Sequence, residues 1–325
     1  MLNNSNNDIK AWDSYWSQGY KTSFGALFNN GYEGIIKNIW EKFFINLTGA
    51  NEVLDLCTGN ASLLRLGKQT IQASSQIKLT GVDYADIRPQ DSFGEEANID
   101  LLFNVNIEKL PFRNNSFDYV ISNFGFEYSD IKKSINEVAR ILKPGGKVLL
   151  VCHCFDSILI KSNSEELLLL EEMFKKNNVL DSLTGLIDAL NTKEKNSLQK
   201  NTEVNNAYQN ASAEAEEYRI ALNTRLTDLA KNHHHALEVS EFLVFLKFLL
   251  NKNTKDKIEV LAQQKIALYH HKLRLKAMVD AALSPQTIEN LASLLAPLGF
   301  NNIKIENVLD SNDKIAIKIT ANIIN

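Results

Sequence analysis

Glu52-Val53-Leu54-Asp55-Leu56-Cys57-Thr58-Gly59-Asn60-Ala61 is a short apolar run that ends in an acid and opens, through a turn of small residues, into a helix-forming stretch. A strand–turn–helix of this kind brings backbone N–H groups up to a ligand. Gly59 can take positive φ and leaves room for ligand atoms against the main chain. Alone the turn is a weak signal. Two later features add weight: Asp83, a second acid at a strand end, and Leu110-Pro111-Phe112 followed by Phe117-Asp118-Tyr119-Val120.

Outward from that turn the pattern is βαβ. Strands are predicted at 52–56, 77–83, 99–105, 119–122 and 147–151, with helices at 61–70 and 130–142 and a turn at Pro144-Gly145-Gly146. The fifth strand is nearly all apolar, as a strand buried on both faces must be. Alternating strands and helices imply a parallel, doubly wound sheet. Near the end, Ser284 is a good N-cap, Pro285 suits the first helical position and Gly299 suits the C-cap. Residues 300–306 and 314–320 alternate like two closing strands, which makes seven. Residues 156–283 carry no strand signal and are far longer than an ordinary crossover.

That insertion reads as helical. Residues 165–175 form an amphipathic piece with Ser164 as its cap. Further on, Ala215, Tyr218, Leu222, Leu226 and Leu229 follow helical spacing, as do Ile258, Leu261, Leu268 and Leu273. A turn at 251–254, with Thr254 as a candidate cap, suggests a helical hairpin reversing near residue 252. Phe242, Phe245 and Phe248 need cover, so the expectation for 156–283 is an acceptor lid or a dimer interface, the latter giving a homodimer. Residues 1–48 form a helical segment rich in aromatics: Trp12, Tyr15, Trp16 and Tyr20, then an amphipathic run at 32–44. These aromatics either pack on the core or, over residues 12–22, fold across the ligand pocket as a lid.

Composition narrows the class. Hydrophobic residues make up 44% of the 325-residue chain, enough for a full core, and no apolar run reaches membrane-spanning length. The formal net charge is −4, which argues against general nucleic-acid binding. Three cysteines and a polar Asn-rich start point to free thiols in the cytoplasm. Five of the six histidines, His233, His234, His235, His270 and His271, fall in the insertion. In a hairpin His235 and His270 would stand opposite each other, but no carboxylate is placed to complete a metal site, and solvated histidines are expected.

The order Val53 to Gly59, Gly81-Val82-Asp83, Leu110-Pro111-Phe112 with Ser116-Phe117-Asp118, Leu142-Lys143-Pro144-Gly145-Gly146 and Leu298-Gly299-Phe300 resembles class I S-adenosylmethionine-dependent methyltransferases. The likeness is to the small-molecule type similar to the ubiquinone and menaquinone methyltransferases (methyltransferase domain 11), over about residues 50–155 and 284–325. It implies a Rossmann-like α/β seven-stranded methyltransferase sheet, with residues 49–155 and 284–325 as the S-adenosylmethionine-binding domain and the insertion between strands five and six.

The resemblance also implies a cofactor site. Cys57, Thr58 and Gly59 would press against the methionine part of S-adenosyl-L-methionine, and Asp55 would hold its ammonium. Asp83, with Tyr84 following, would meet the ribose hydroxyls. Asn106 stands where the family often has an acid for the adenine amine, and its amide oxygen can still accept. Ile107 offers a backbone N–H and an apolar wall, and Asn123 meets the methionine end. Cys57 and Ala61 stand where the family usually has glycines. Close approach survives this, but positive φ at either is strained.

Methyl transfer is an in-line displacement that depends mostly on alignment. Where the acceptor must lose a proton, Glu127, Tyr128 and His153 are the candidate bases, against the blander reading of local hydrogen bonding. Asn123-Phe124-Gly125-Phe126 departs from the Asn-Pro-Pro-Tyr pattern of amide and exocyclic-amine methyltransferases. The leading expectation is therefore a methyltransferase with a small-molecule acceptor. The alternatives are a protein or RNA acceptor, a non-catalytic cofactor-binding scaffold, and a dinucleotide-binding dehydrogenase. The last lacks a full Gly-x-Gly-x-x-Gly after strand one.

Overall fold

A computed structural model describes residues 6–23, 31–72, 75–87, 99–197, 202–251 and 253–324. The chain divides into two compact units, residues 1–161 with 276–325, and residues 162–275.

In the first unit, helices α1 (Asn6–Ser17) and α2 (Gly34–Ile45) precede a seven-stranded sheet. Its strands are β1 (Ala50–Leu56), β2 (Gln76–Val82), β3 (Ile99–Leu102), β4 (Phe117–Asn123), β5 (Leu142–Cys152), β6 (Phe300–Asp310) and β7 (Asp313–Ile323). Their order is β3-β2-β1-β4-β5-β7-β6. Strands β1 to β5 pair in parallel, and β7 runs antiparallel to both β5 and β6. Helices α3 (Ser62–Thr70), α4 (Ile131–Ile141) and α11 (Pro285–Leu295) accompany them. The seven-stranded α/β sheet is the expected fold.

Alternation along the strands explains why their sequences are apolar throughout. Leu54 on β1, Val120 on β4, and Val148 and Leu150 on β5 enter one core with Ile135 and Val138 of α4. Their neighbours Val53, Ile121 and Val151 enter the other, with Trp40 and Phe44 of α2 and Leu63 and Leu64 of α3. Each of these large side chains gains about 1.5–3 kcal/mol on leaving water.

The landmark motifs have structural work. The Asp118 carboxylate accepts from the Glu52 N–H at 2.8 Å and pairs with Lys143 at 2.7 Å, joining the start of β1 to the chain before Gly145. Arg140 donates to the carbonyls of Leu110 and Phe112, while Glu137 accepts from the Leu110 N–H. The Leu-Pro-Phe loop is thus clamped onto α4. Ser284 caps α11 by accepting from the Thr287 N–H at 3.1 Å, with Pro285 in the first turn and Gly299 at φ +90° closing the turn that follows the helix.

Several strand boundaries differ from the sequence reading: β6 runs on to Asp310 and β7 to Ile323, and the largest shifts fall at β5 and β3. Strand β5 begins at Leu142, because Leu142 pairs with Phe117 ahead of the Pro-Gly-Gly turn. Strand β3 stops at Leu102, because Asn104 turns to φ +58° and Val105 donates to the Asp83 carbonyl.

The second unit is built from helices: most of α5 (Ile158–Met173), α6 (Val179–Ser197), α7 (Thr202–Asn232), α8 (His234–Val239), α9 (Phe242–Leu250) and most of α10 (Lys257–Ala281). It has its own core, including Leu183, Leu222, Leu229, Phe242, Leu249 and Leu261. This is more than a hairpin, since apolar side chains of all these helices close on one another. Ser164 lies inside α5 rather than at its start, and Thr254 caps nothing: its hydroxyl donates back to the Phe248 carbonyl at 2.7 Å. Phe242 is buried, whereas Phe248 is 55% exposed. The histidines are separately engaged. His271 sits between Glu166 (2.9 Å) and Arg274 (3.1 Å), and His234 approaches Glu238 at 3.7 Å. Among the described residues no cluster of three or more His, Cys, Asp or Glu is placed to hold a metal. No helix among them is long and apolar enough to cross a membrane.

Candidate functional site

The carboxyl ends of β2, β1 and β4 open into a cleft of about 1080 Å³, open solvent included. Its floor is the turn after β1. Three alternate residues there, Cys57, Gly59 and Ala61, have φ of +57°, +54° and +56°. Two of the three are not glycine, so the turn carries the strain anticipated from sequence. A left-handed non-glycine residue costs roughly 1–2 kcal/mol. The surroundings hold it. Thr58 donates to the Val82 carbonyl at 2.9 Å, and the Ala61 N–H returns to the Thr58 carbonyl at 2.9 Å. The Cys57 side chain fits because residue 125 is glycine: a Cβ there would lie 2.3 Å from the Cβ of Cys57.

Asp83 ties this turn to β2. One carboxylate oxygen accepts from the Gly59 N–H at 2.8 Å and the other from the Ala85 N–H at 2.9 Å. Burial pushes its pKa up to about 6, against the pull of those N–H groups. Asp55 lies deeper, 2% exposed, and accepts from the Thr58 hydroxyl at 2.7 Å. Burial raises its pKa to about 8, and the nearby Asp83 charge adds to the effect. Two buried acids side by side, short of positive partners, suit a cationic ligand. The Cys57 thiol is held well above its ordinary pKa, first by burial and then by the charges of Asp83, Glu127 and Asp55, so it is no activated nucleophile.

Of the residues singled out from sequence, Cys57, Thr58, Asp83, Tyr84, Asn106, Ile107, Asn123 and Tyr128 line the cleft. Asp55 and Gly59 stand behind that lining, each bonded to a residue that forms it. Asn106 uses its side-chain oxygen to accept from the Glu108 N–H at 2.8 Å, which closes the loop after β3. Glu127 and His153 are not in the lining. They pair with each other: the Glu127 carboxylate meets both the His153 N–H and its Nδ1 at 2.8 Å. The imidazole lies against Phe124, ring centroids 4.4 Å apart. Phe124 does line the cleft and has φ +56°, a strained value for an aromatic residue.

The first helix closes the top. Trp12 and Trp16 stack at 6.1 Å, Trp12 meets Tyr128 edge-on at 5.8 Å, and the Trp16 ring packs on Gly59. Asn60 donates to the carbonyls of Trp16 (3.1 Å) and Tyr20 (2.7 Å), and Ser62 donates to that of Lys21. Asp13 accepts from the Asp86 N–H at 2.9 Å. The segment is therefore clipped to the same turn that floors the cleft. Reading the sequence for site residues missed Tyr32, Phe124 and Glu108, which also line the cleft, and reached Lys21 only as part of the 12–22 lid. Nothing local marks them, since their roles depend on which strand ends they meet.

Three kinds of likeness to known proteins accompany this geometry. Residues 31–180 match the sequence profile of the ubiE/COQ5 methyltransferase family. A ubiquinone/menaquinone biosynthesis C-methyltransferase UbiE from Pseudomonas paraeruginosa is 31% identical over 133 residues, 38% of this chain and 52% of that protein. Its counterpart in Bdellovibrio bacteriovorus is 30% identical over 130 residues, 38% of this chain and 54% of that one. The chain thus spans about half the length of the curated relatives it matches. Among solved structures, the YcgJ protein from Bacillus subtilis is similar at 25% identity and a TM-score of 0.33, covering 42% of this chain and 59% of that one.

Proposed function

We propose, from the premise that residues 31–180 belong to the ubiE/COQ5 methyltransferase family, that this chain transfers a methyl group from S-adenosylmethionine to a small-molecule acceptor. The observation that carries the reading is the union of Asp83 with the Cys57–Gly59 turn. A carboxylate fixed by two backbone N–H groups keeps lone pairs for two neighbouring hydroxyls, as a ribose presents. Asn106 and Ile107 lie beyond it, over β3, where a base would rest. On the other side, the buried Asp55 and the strand ends of β1 and β4 receive the cationic amino-acid end.

When bound, S-adenosylmethionine supplies an electrophilic methyl group on a positively charged sulfur. The chain supplies alignment and dryness. Trp12 and Trp16 cover the cleft from water, and aromatic faces attract a cation by about 0.5–2 kcal/mol. Tyr128 is the candidate base in the lining, and Glu127 with His153 stands one layer behind. The acceptor is read as a small molecule because the aromatic side chains of α1 and of Tyr128 cover part of the cleft, and because the net charge of −4 does not favour nucleic acid.

Calorimetry with S-adenosylmethionine, followed by a labelled-methyl assay on a metabolite extract, tests the proposal. Micromolar binding and label in the small-molecule fraction are expected. Absence of binding, or label only in protein or RNA, overturns it. Binding without transfer to any fraction supports the scaffold alternative.

A further inference from the structure

The pair behind the cleft, Glu127 with His153, has side chains only 0% and 1% exposed. Glu127 Oε1 accepts from the His153 backbone N–H at 2.8 Å and meets the ring Nδ1 at 2.8 Å. An oxygen that already accepts one N–H accepts the second, so Nδ1 carries the proton and Nε2 keeps its lone pair. That Nε2 is buried, with no hydrogen-bond partner among the described residues. An imidazole fixed in one tautomer by a carboxylate, with a bare nitrogen on its far side, has the makings of a general base. Left without a donor, the lone pair costs the fold its desolvation and gains nothing in return.

Phe124 is the second observation. It lines the cleft and also lies against the imidazole, ring centroids 4.4 Å apart, so its ring is a partition between the two. Tyr128, which lines the cleft too, meets the imidazole edge-on at 6.2 Å. The Phe124 backbone is pinned. Its N–H donates to the Val151 carbonyl at 2.7 Å, and the Phe126 N–H that follows donates to the Ser122 hydroxyl at 3.1 Å. Any opening therefore comes from the ring turning about its side-chain bonds. The φ of +56° is costly for an aromatic residue, and such outliers persist where the surroundings hold a residue to a task.

We infer that Phe124 is a gate: an acceptor entering the cleft turns its ring aside and brings the acceptor's ionisable proton to His153 Nε2. The inference rests on the proposed function. One proton passes from the acceptor to Nε2, and the electron pair it leaves forms the bond to the methyl carbon. The carbon–sulfur pair stays with sulfur. The imidazolium so formed faces the Glu127 carboxylate, which stabilises it. While the gate is shut, the base is kept from water and from other proton donors. The titratable groups around the imidazole are Glu127 and Tyr128 from the chain after β4, Cys152 from β5 and Cys57 from the β1 turn. The charge of Glu127 acts on both thiols, and Asp83 and Asp55 act on that of Cys57.

The test uses the full chain and two readouts. The first is carbethoxylation of His153 by diethyl pyrocarbonate, followed by peptide mass. His153 of Phe124→Ala should react at least about tenfold faster than in the native chain, and Phe124→Leu should fall between them, since protection tracks the covering ring. The second is the rate of labelled-methyl transfer to the small-molecule fraction of a metabolite extract, followed from about pH 5 to pH 9. The native rate should rise with pH to a plateau as the base loses its proton. Glu127→Gln keeps an acceptor for both N–H groups but removes the charge that favours the imidazolium, so the rise should move about one unit to lower pH. His153→Gln should lower the plateau by roughly a hundredfold or more and abolish the rise. Melting temperatures are read alongside, and Glu127→Gln carries the test if His153→Gln fails to fold. Equal carbethoxylation in Phe124→Ala and the native chain overturns the gate, as does a pH rise that Glu127→Gln leaves in place. A rise lost only in Tyr128→Phe gives the base to Tyr128 and overturns it too. A native chain that transfers no label to any fraction overturns the proposed function and the gate with it.

Discussion

The Asp83 carboxylate accepts the Gly59 backbone N–H at 2.8 Å, so the acid ending β2 and the turn leaving β1 form one rigid piece. The acid read from sequence as a ligand contact braces the turn to the end of the strand. Replacing Asp83 with Ala should weaken S-adenosylmethionine binding by about 1–3 kcal/mol and leave the Gly59 and Ala85 N–H groups unpaired. Calorimetry reads the first effect and thermal melting the second. Unchanged affinity with a lowered melting temperature would leave Asp83 only the structural part.

The two buried acids make stability depend on pH. Both have folded pKa values raised above the ordinary 3.8, Asp55 to about 8 and Asp83 to about 6. In that window the folded chain holds protons that the unfolded chain has lost, so their contribution to stability is full below about pH 4 and falls as pH rises towards 8. Binding of a cationic cofactor runs the other way, since it favours the ionised acids. The melting temperature of the free protein should therefore fall between pH 5 and 8 while cofactor affinity rises. Asp55→Asn should flatten both slopes, and parallel slopes in native and variant would remove Asp55 as their source.

Strain in the turn predicts a coupled pair of substitutions. Cys57→Gly relieves a φ of +57° and should stabilise the chain by up to about 1 kcal/mol, the left-handed penalty less the added freedom of glycine. Gly125→Ala alone should destabilise it severely, because the new Cβ would lie 2.3 Å from that of Cys57. Together the two should cost far less than their sum, which a double-mutant cycle on melting data would reveal. Simple additivity would mean that the two positions do not share this space.

Arg140 holds the Leu-Pro-Phe loop by two carbonyls and pairs with Glu137 at 2.7 Å. Both side chains are partly exposed, at 30% and 18%, so solvent weakens the ion pair and the carbonyl bonds matter more. Arg140→Ala should cost about 1–3 kcal/mol in stability. It should also loosen the loop that carries Asn106 and Ile107, measured as faster amide hydrogen exchange over residues 105–112. Unchanged exchange there would detach the clamp from the site.

Much of the fold was legible because its signals are local. Apolar runs of strand length, the acid closing β1, the Pro-Gly-Gly turn and the Ser284-Pro285 cap each state their conformation in a few residues. Much of the cleft was legible for the same reason, since the ends of parallel strands must meet a ligand together. The helical unit was harder to read. Ser164 and Thr254 have cap chemistry, but α5 starts at Ile158 and the Thr254 hydroxyl turns back to Phe248, because apolar packing outweighs a single cap.

The candidate bases show the same limit: Glu127 and His153 have the right chemistry, yet only folding pairs them with each other and sets them outside the cleft lining, beside Phe124. The place of Tyr32 in the cleft and the orientation of the Asn123 amide had no mark in the sequence, and Lys21 was marked only as part of the 12–22 lid. Trp40 is 83 residues from Asn123, and only folding brings an indole that can only donate against an amide that can turn either way. Sequence alone decided the sheet, the order of its strands' landmarks and the turn that floors the cleft, since backbone preference and alternation act within a few residues. Tertiary structure decided which polar atoms are left without partners at the strand ends, since a hydrogen bond is satisfied or orphaned by whatever segment arrives beside it, however distant along the chain.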